Sequence, residues 1–227
     1  AWVRAKKNKE STVAYNTWKN YLQVTYGSVD KDLEPLFLKH TYLASIARLL
    51  VWAAVSKGET NSSLRETALD VLSGEYFKKL RIDNMVEDDF FQWIRFDHAK
   101  EMLAPIWEKS LDQILTYDLN LMSQDVLKGV YQELVDPSDR HDLGEYYTPE
   151  WLCEKIVNDV LPESGIHKVL DPTCGSGSFL RAALDHFLKA NSRKHKHTLL
   201  NGIIESIVGI DIHPLAVTIA KATYVLA

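Results

Sequence analysis

The sequence predicts an α/β fold with a large all-helical N-terminal region, residues 1–140, followed in residues 141–227 by the start of an open parallel sheet. Two observations support this prediction. Apolar residues recur at helical spacing throughout the first part, where long strand-like alternation is absent. The second part holds six of the ten glycines and four of the seven prolines, so we expect tight turns to concentrate there.

The composition is that of a folded globular chain. Its 227 residues are 46% hydrophobic and 25% charged, which excludes a disordered chain and provides enough apolar surface for a substantial core. The net charge of −5 excludes a wholly basic nucleic-acid coat. Two cysteines, Cys153 and Cys174, are too few for a disulfide framework, so we expect a reducing, cytoplasmic environment.

The most apolar stretch, residues 36–55, resembles a membrane span only in its hydropathy. It contains Lys39, His40 and Arg48, and a bilayer-spanning helix rarely carries three such groups. We therefore expect a mostly buried helix here and no membrane partner.

Four apolar stripes predict roughly four to seven helices, packed as an irregular bundle, in the first part of the chain. We interpret the stripes as core rather than as a cofactor pocket. They consist of Leu43, Ile46, Ala47, Leu50, Val51 and Ala54; of Leu64, Ala68, Leu69 and Leu72; of Ile106, Leu111, Ile114, Leu115 and Leu119; and of Val126, Val130, Tyr131 and Leu134. The polar segment 136–145 is the expected domain boundary.

Beyond this boundary, helical and strand-like segments alternate. The predicted order is a helix over 151–161, a strand over 168–171, a helix over 179–190, a strand over 207–212 and a helix over 215–226. Such an order is typical of the beginning of an open α/β sheet, in which ligands bind at the carboxyl ends of the strands.

The turn after the first strand, within VLDPTCGSGSFL at 169–180, predicts a ligand site. Asp171 ends the strand, and Gly175 and Gly177 allow close backbone approach before a helix begins near Ser178. Leu180 replaces the third glycine of a dinucleotide loop, and the lysine of a phosphate-binding loop is absent. An acid at the strand tip favours a cation instead, such as the ammonium and sulfonium of S-adenosylmethionine.

A second acid, Asp211, follows the next strand within IVGIDIHPLAV at 207–217. An acid there accepts hydrogen bonds from a ribose diol in dinucleotide folds. Its distance from Gly177 is 34 residues, longer than the roughly 20 of that pattern, so we infer an insertion at NSRKHKHTLLNG. Taken alone, Asp211 is equally well a surface acid or a helix cap. His213 and Pro214 are expected to open the following helix.

A third segment, GEYYTPEWL at 144–152, precedes the glycine loop. Thr148 suits a helix N-cap and Pro149 suits the first helical position. The segment is thus a capped helix start, and a helix start is also a place to hold a carboxylate, which methionine carries.

Together these three strings resemble the start of the catalytic domain of adenine-specific DNA methyltransferases. They are most similar to the gamma-type motif order of Type I modification subunits and fused restriction-modification enzymes, in which G-E-(F/Y)-(Y/F)-T-P precedes the glycine loop. The close resemblance covers the last part of the chain, and the helical region resembles the lead-in of such enzymes only loosely. The resemblance implies a truncated, Rossmann-like sheet that binds S-adenosylmethionine.

The resemblance also assigns roles to residues of this chain. Asp171 is expected to face the amino group of the methionine moiety, and Asp211 the ribose hydroxyls. Ile212 and His213 are expected to flank the adenine ring of the cofactor. The segment expected to meet the methionine carboxylate consists of Tyr146, Tyr147, Thr148 and Pro149. The backbone expected to line the cofactor belongs to Thr173, Gly175 and Gly177.

The implied activity is methyl transfer to the exocyclic amine of adenine in double-stranded DNA, with the target base turned out of the duplex. Specificity or restriction subunits are the further expected partners. The family's catalytic motif, Asn or Asp followed by Pro-Pro and an aromatic residue, does not occur in the sequence. We therefore expect an N-terminal fragment that is inactive by itself and contains no catalytic residue, while DNA contacts lie mostly outside it.

Two other functions remain open. One is a methyltransferase that acts on RNA or on protein glutamine, against which the leading GEYYTP segment argues. The other is a non-catalytic assembly module whose helices bind a partner subunit, which an exposed apolar patch and a distorted glycine loop would favour.

The remaining reactive residues are expected to have no catalytic role. His195 and His197, within the basic run 192–197, lack a Cys or an acid at ligand spacing, so we expect a solvated loop and no metal. The basic run at 4–9 suits phosphate contacts or a frayed terminus equally well. Cys174 is expected to be a small filler of the glycine loop.

We expect the isolated chain to bind S-adenosylmethionine weakly or not at all, because it supplies only part of the cofactor site. Titration calorimetry tests this expectation. Tight binding that is lost in Asp171→Ala would overturn it.

Overall fold

A computed structural model describes residues 1–27, 32–86, 90–118, 126–142, 148–163, 167–192 and 195–227. In the first part the helices are α1 Trp2–Ala5, α2 Lys9–Tyr26, α3 Glu34–Ser56, α4 Leu64–Leu72, α5 Glu75–Lys79, α6 Asp97–Ile114, α7 Val126–Leu134 and α8 Pro137–Asp142, with 3₁₀ turns at Asp83–Met85 and Gln92–Arg95. The second part consists of α9 Glu150–Val160, β1 Val169–Asp171, α10 Ser178–Ala190, α11 Lys196–Ser206, β2 Ile207–Gly209 and α12 Pro214–Leu226.

The helical region is organised around α3, whose central residues are buried on almost every side. The expectation of a buried helix over 36–55 is confirmed, because His40 and Arg48 lie inside the core instead of facing lipid. Aromatic rings from four elements cluster against its first half: Trp2, Trp18, Phe37 and Trp93. Among the described helices, none combines the length and the apolar character that a bilayer crossing needs.

The predicted stripe is confirmed in α3, and those of α4 and α7 are confirmed apart from Leu69, which does not pack in the core cluster, and Val126, whose side chain lies outside the described part. The stripe that begins at Ile106 is partly wrong. Ile106 is 47% exposed, and α6 instead buries the row Ala99, Leu103, Trp107, Leu111 and Ile114. These residues recur every three or four positions, so Ile106 lies about a quarter turn away from the row. Leu119 lies outside the described residues.

The expected boundary segment forms a short helix where it is described. Pro137 begins α8, the position where a missing N–H group costs nothing. Immediately before it, the carboxylate of Asp136 accepts from the Lys39 ammonium at 2.5 Å, so α8 begins beside α3.

The helix–strand alternation predicted for the second part is confirmed, and the described strands form a two-stranded parallel sheet. Val169 pairs with Ile207 and Asp171 with Gly209. The second strand is shorter than predicted, since β2 ends at Gly209. Beyond it, the Ile210 N–H donates to the Asp171 carbonyl at 2.8 Å, which continues the pairing by one bond.

The insertion inferred at 191–202 is helical from Lys196 onward, where α11 begins, so the solvated loop expected over 192–197 is wrong at residues 196 and 197. Leu199 and Ile203 lie one helical turn apart and pack into the small core of the sheet. The basic run that precedes them suggested a loop, but a helix forms because these apolar residues have helical spacing. His195 is the N-cap of α11, and its Nδ1 accepts from the His197 N–H at 3.4 Å.

The last helix, α12, packs on both parts of the chain. Leu215, Ile219 and Ala222 lie in the same buried cluster as the helical core. On another face, Ala220 joins the core of the sheet. The sheet and the helical region are therefore connected by continuous packing through α12, while the domain boundary near residue 140 stays a prediction.

The close approach between the glycine loop and α12 requires a glycine. Gly177 has φ +89°, and a Cβ atom there would lie 3.3 Å from the Cα of Ala220. Gly175 has φ +52°, but no described atom lies within 4 Å of a Cβ built on it. The two glycines therefore differ in packing and not only in backbone conformation.

This difference predicts unequal costs of substitution. Gly175→Ala should lower the free energy of unfolding by about 1 kcal/mol, from backbone strain alone. Gly177→Ala adds a clash with helix backbone and should cost about 2–4 kcal/mol. Urea unfolding of both variants measures the two losses, and equal losses would contradict the packing described.

Two buried histidines meet where α12 packs on α3. The ring centroids of His40 and His213 lie 5.3 Å apart, edge to face. Burial lowers the pKa of His213 to about 4, although the nearby Asp211 carboxylate acts to raise it. Burial also holds the pKa of His40 well below its usual value, helped by His213 and Lys39. Both rings are therefore neutral at pH 7.

The fold should consequently lose stability in mild acid. The unfolded chain binds a proton at His213 below pH 6.5, whereas the folded chain does so only near pH 4. The free energy of unfolding should fall by about 2 kcal/mol from this residue between pH 7.5 and 5. His213→Asn keeps a helix-capping acceptor and removes the titration, so urea unfolding should show a smaller pH dependence. An unchanged pH dependence would contradict the assignment.

Candidate functional site

Among the described residues, Asp171, Gly175 and Asp211 of the predicted site lie together at the carboxyl ends of β1 and β2. Because the strands are parallel, the loop 172–177 and the turn 211–213 leave the sheet at the same edge. The start of α9 packs beside them, since α9 and α10 are extensively in contact. A ligand at this edge would meet all three segments.

Asp171 presents a carboxylate with one oxygen unsatisfied. Its Oδ1 accepts from the Thr173 N–H at 3.2 Å. Its Oδ2 is buried and has no hydrogen-bond partner among the described residues. A buried carboxylate oxygen without a donor is costly, and a cationic ligand group would satisfy it. This oxygen is a hydrogen-bond acceptor, so it fits the ammonium of S-adenosylmethionine, which is a donor.

The glycine loop is hydrogen-bonded to the residues that follow the second strand. The Cys174 N–H donates to the Ile210 carbonyl at 2.9 Å, and the Gly177 N–H donates to the Cys174 carbonyl at 2.8 Å. Gly175 donates its N–H to Asp211 Oδ2 at 2.8 Å. The open space beside Gly175 leaves its backbone accessible to a ligand, as predicted from the G-x-G spacing.

The Asp211 carboxylate accepts hydrogen bonds from both the glycine loop and the start of α12, and we call this pair of bonds the Asp211 clamp. Besides the bond from Gly175, its Oδ1 accepts from the His213 N–H at 2.7 Å. Each carboxylate oxygen has a second lone pair, so both remain able to accept from hydroxyl groups. Asp211 is not the helix cap, because His213 is the N-cap of α12, and the ribose role of Asp211 stays a prediction.

Ile212 and His213 have different surroundings although they are neighbours. Ile212 is 61% exposed, and its carbonyl accepts from the hydroxyl of Tyr21 on α2. The His213 ring is buried against His40, and its Nδ1 caps α12 by accepting from the Ala216 N–H at 3.2 Å. The expectation that this ring flanks a cofactor adenine is therefore corrected, because capping and burial turn it into the core. Pro214 does begin α12, as predicted.

The start of α9 differs by one residue from the prediction. Pro149, not Thr148, is the N-cap, because its ψ of 141° is extended and its carbonyl accepts from the N–H groups of Leu152 and Cys153. Thr148 lies one residue earlier and is half-buried. Tyr146 and Tyr147, which were also predicted to meet the cofactor, lie outside the described residues.

Lys128 of α7 is a contact residue of the site that the sequence did not indicate. Its ammonium donates to the Thr148 carbonyl at 2.5 Å and to Ser178 Oγ at 3.4 Å. Nearby, Arg181 and Glu150 approach to 3.9 Å between α10 and α9. A lysine between apolar positions of an amphipathic helix carries no sequence signal of such a contact.

Cys174 behaves as the filler that was expected. Burial, and then the nearby carboxylates of Asp211 and Asp171, raises the pKa of its thiol to about 11. The thiol is therefore protonated at pH 7 and a poor nucleophile. A Cβ atom at Gly209 would lie 3.0 Å from Cys174 Sγ, so the sulfur fills the space that the glycine leaves.

A cavity of about 510 Å³ lies beside the turn after β2. Asp211 and Ile212 line it from that turn, Tyr21 from α2, Lys221 from α12, and Phe90 from the turn before the 3₁₀ helix at Gln92–Arg95. It is thus adjacent to the residues expected to meet the ribose and adenine. In the described part of the chain, no group of three His, Cys, Asp or Glu residues is placed to hold a metal.

Comparison with known proteins shows what this chain is similar to. Residues 122–226 match the N-6 DNA methylase family model. The adenine-specific methyltransferase PglX of Streptomyces coelicolor is 30% identical over 150 residues, which cover 58% of this chain and 12% of that protein. The Type I restriction enzyme EcoEI methylase subunit of Escherichia coli is 29% identical over 147 residues, which cover 60% of this chain and 28% of that subunit.

The matched segment contains the described part of the site: the start of α9, the glycine loop and the turn after β2. The chain spans 12% and 28% of the lengths of these two relatives, so the agreement concerns this part of such enzymes. The segment from residue 122 to residue 226 is therefore similar to the N-6 DNA methylase family, and the two relatives are an adenine-specific methyltransferase and a restriction-enzyme methylase subunit.

Proposed function

We propose that this chain forms the cofactor-binding part of an S-adenosylmethionine-dependent methyltransferase that acts on the exocyclic amine of adenine in double-stranded DNA. The observation that carries the proposal is the unsatisfied Oδ2 of Asp171 beside the glycine loop. It lies within the segment that matches the N-6 DNA methylase family model.

Asp171 and the glycine loop would hold the methionine end of the cofactor. The free oxygen of Asp171 accepts from the ammonium, a charge-assisted bond that is stronger than a neutral one. Thr173, Gly175 and Gly177 contribute backbone, and Gly175 has the open space that close approach needs. The start of α9, with Thr148 and Pro149, faces the carboxylate together with Tyr146 and Tyr147.

Asp211 and Ile212 would hold the adenosine end. The two bonds from Gly175 and His213 fix the Asp211 carboxylate in one orientation, so its remaining lone pairs are already directed before ribose binds. Ile212 is exposed and apolar beside it, which suits contact with the adenine ring.

The chemistry that the cofactor supplies when bound is an electrophilic methyl group on a sulfonium sulfur. The residues of this chain orient the methyl group by binding the methionine end and the adenosine end of the cofactor. Binding at both ends excludes conformers in which the methyl group points elsewhere. No Asn-Pro-Pro or Asp-Pro-Pro motif occurs in these 227 residues, and we assign no group here to the target base.

The likeness to a Type I methylase subunit supports a proposal about partners. We propose that the full-length protein acts on DNA together with specificity or restriction subunits. The rival proposal of a non-catalytic assembly module expects a distorted glycine loop. The N–H groups of Cys174 and Gly175 form regular hydrogen bonds to Ile210 and Asp211, which follow β2. This regular loop favours the enzyme instead.

Replacing Asp171 by Asn tests the proposal in the full-length protein. The change keeps the shape and removes the charge that receives the ammonium, so the affinity for S-adenosylmethionine should fall about 10- to 100-fold. Titration calorimetry measures the change. Asp112→Asn alters an exposed carboxylate on α6 and should leave the affinity unchanged.

Either of two results would contradict the proposal. A wild-type protein that does not bind S-adenosylmethionine would exclude the cofactor altogether. Unchanged affinity in Asp171→Asn would show that the cofactor binds elsewhere. Thermal unfolding of each variant without ligand controls for a loss of fold.

A further inference from the structure

Lys128 occupies the junction of three elements at the cofactor site. It lies on α7, outside the sheet, and its ammonium reaches the Thr148 carbonyl at 2.5 Å and Ser178 Oγ at 3.4 Å. Thr148 precedes α9, and Ser178 is the first residue of the 13-residue helix α10. One side chain from the helical region therefore connects the starts of both helices.

The charges around the glycine loop are separated in space along the site. Asp171 is the last residue of β1, and Asp211 lies in the turn after β2. These two acids place negative charge at the carboxyl ends of the strands. The Lys128 ammonium reaches the start of α9 from α7, and Arg181 of α10 lies 3.9 Å from the Glu150 carboxylate there, so two cationic groups lie at this helix start, where the helix dipole also adds positive potential. A zwitterionic amino-acid group, with ammonium and carboxylate on one carbon, matches this separation.

We propose that Lys128 is a binding residue of the cofactor site, whose ammonium, oriented by the Thr148 carbonyl and Ser178 Oγ, supplies positive charge toward the carboxylate of the cofactor's methionine moiety. The inference rests on the proposed function, which does not assign Lys128. It requires no vacant donor on the ammonium, because the charge acts on a nearby carboxylate through space.

A purely structural role makes a different prediction. If Lys128 only ties the helical region to the sheet, its removal should weaken every adenosyl ligand alike, because the whole site loosens. If its charge acts on the carboxylate, only ligands that carry the carboxylate should lose affinity. Decarboxylated S-adenosylmethionine lacks only this group and therefore separates the two roles.

The experiment compares S-adenosylmethionine and its decarboxylated analogue by calorimetry on the full-length protein. In Lys128→Met the affinity for S-adenosylmethionine should fall about 5- to 10-fold, while the affinity for the analogue changes less than about twofold. Lys128→Gln keeps a donor for the Thr148 carbonyl without the charge and should show the same selective loss. Lys128→Arg should restore most of the affinity.

The matched control is Lys109→Met, which removes an exposed lysine from α6 and should alter neither affinity. Lys128→Gln decides the question if Lys128→Met does not fold. Equal losses for the two ligands, or no loss for either, would overturn the inference while Asp171→Asn still tests the proposed function. A wild-type protein that binds neither ligand would overturn both.

Discussion

The Asp211 carboxylate is the interaction on which the arrangement of the site depends. Each strand of the described sheet is three residues long, so strand pairing alone does little to fix the loops beyond the strands. Asp211 receives the N–H of Gly175 on one oxygen and the N–H of His213 on the other. The glycine loop and the start of α12 are thereby held to one carboxylate, and the backbone near Asp171 is fixed by the same set of bonds.

This clamp also connects the helical region to the site. His213, the residue at the end of the clamp, packs its ring on His40 of α3, and Tyr21 of α2 donates to the carbonyl of Ile212. On the other side, Lys128 of α7 contacts Thr148. Three helices of the first part thus contact the segments that line the site, so the helical region contributes to the geometry of the site.

Local signals account for the parts of the site that the sequence predicted. Asp171, Gly175 and Gly177 were recognised because strand ends and positive φ angles depend on neighbouring residues. The contacts of Lys128 and Tyr21 depend on distant packing, and Tyr21 is 191 residues from its partner. The His213 ring was misplaced for the same reason, since no local pattern pairs it with a residue of α3. The N-cap error at the start of α9 arose because Thr148 suits a cap and Pro149 suits the first helical position, whereas the helix begins one residue later, at Glu150.

Hydrogen exchange of the full-length protein with and without S-adenosylhomocysteine, the demethylated form of the cofactor, tests the central claim most directly. Binding at the strand tips predicts slower exchange for the amides of residues 173–178 and 211–213, because the ligand covers the loop and strengthens the Asp211 clamp. Protection confined to other segments, with these amides unchanged, would contradict the claim that the cofactor binds between the glycine loop and the turn after β2.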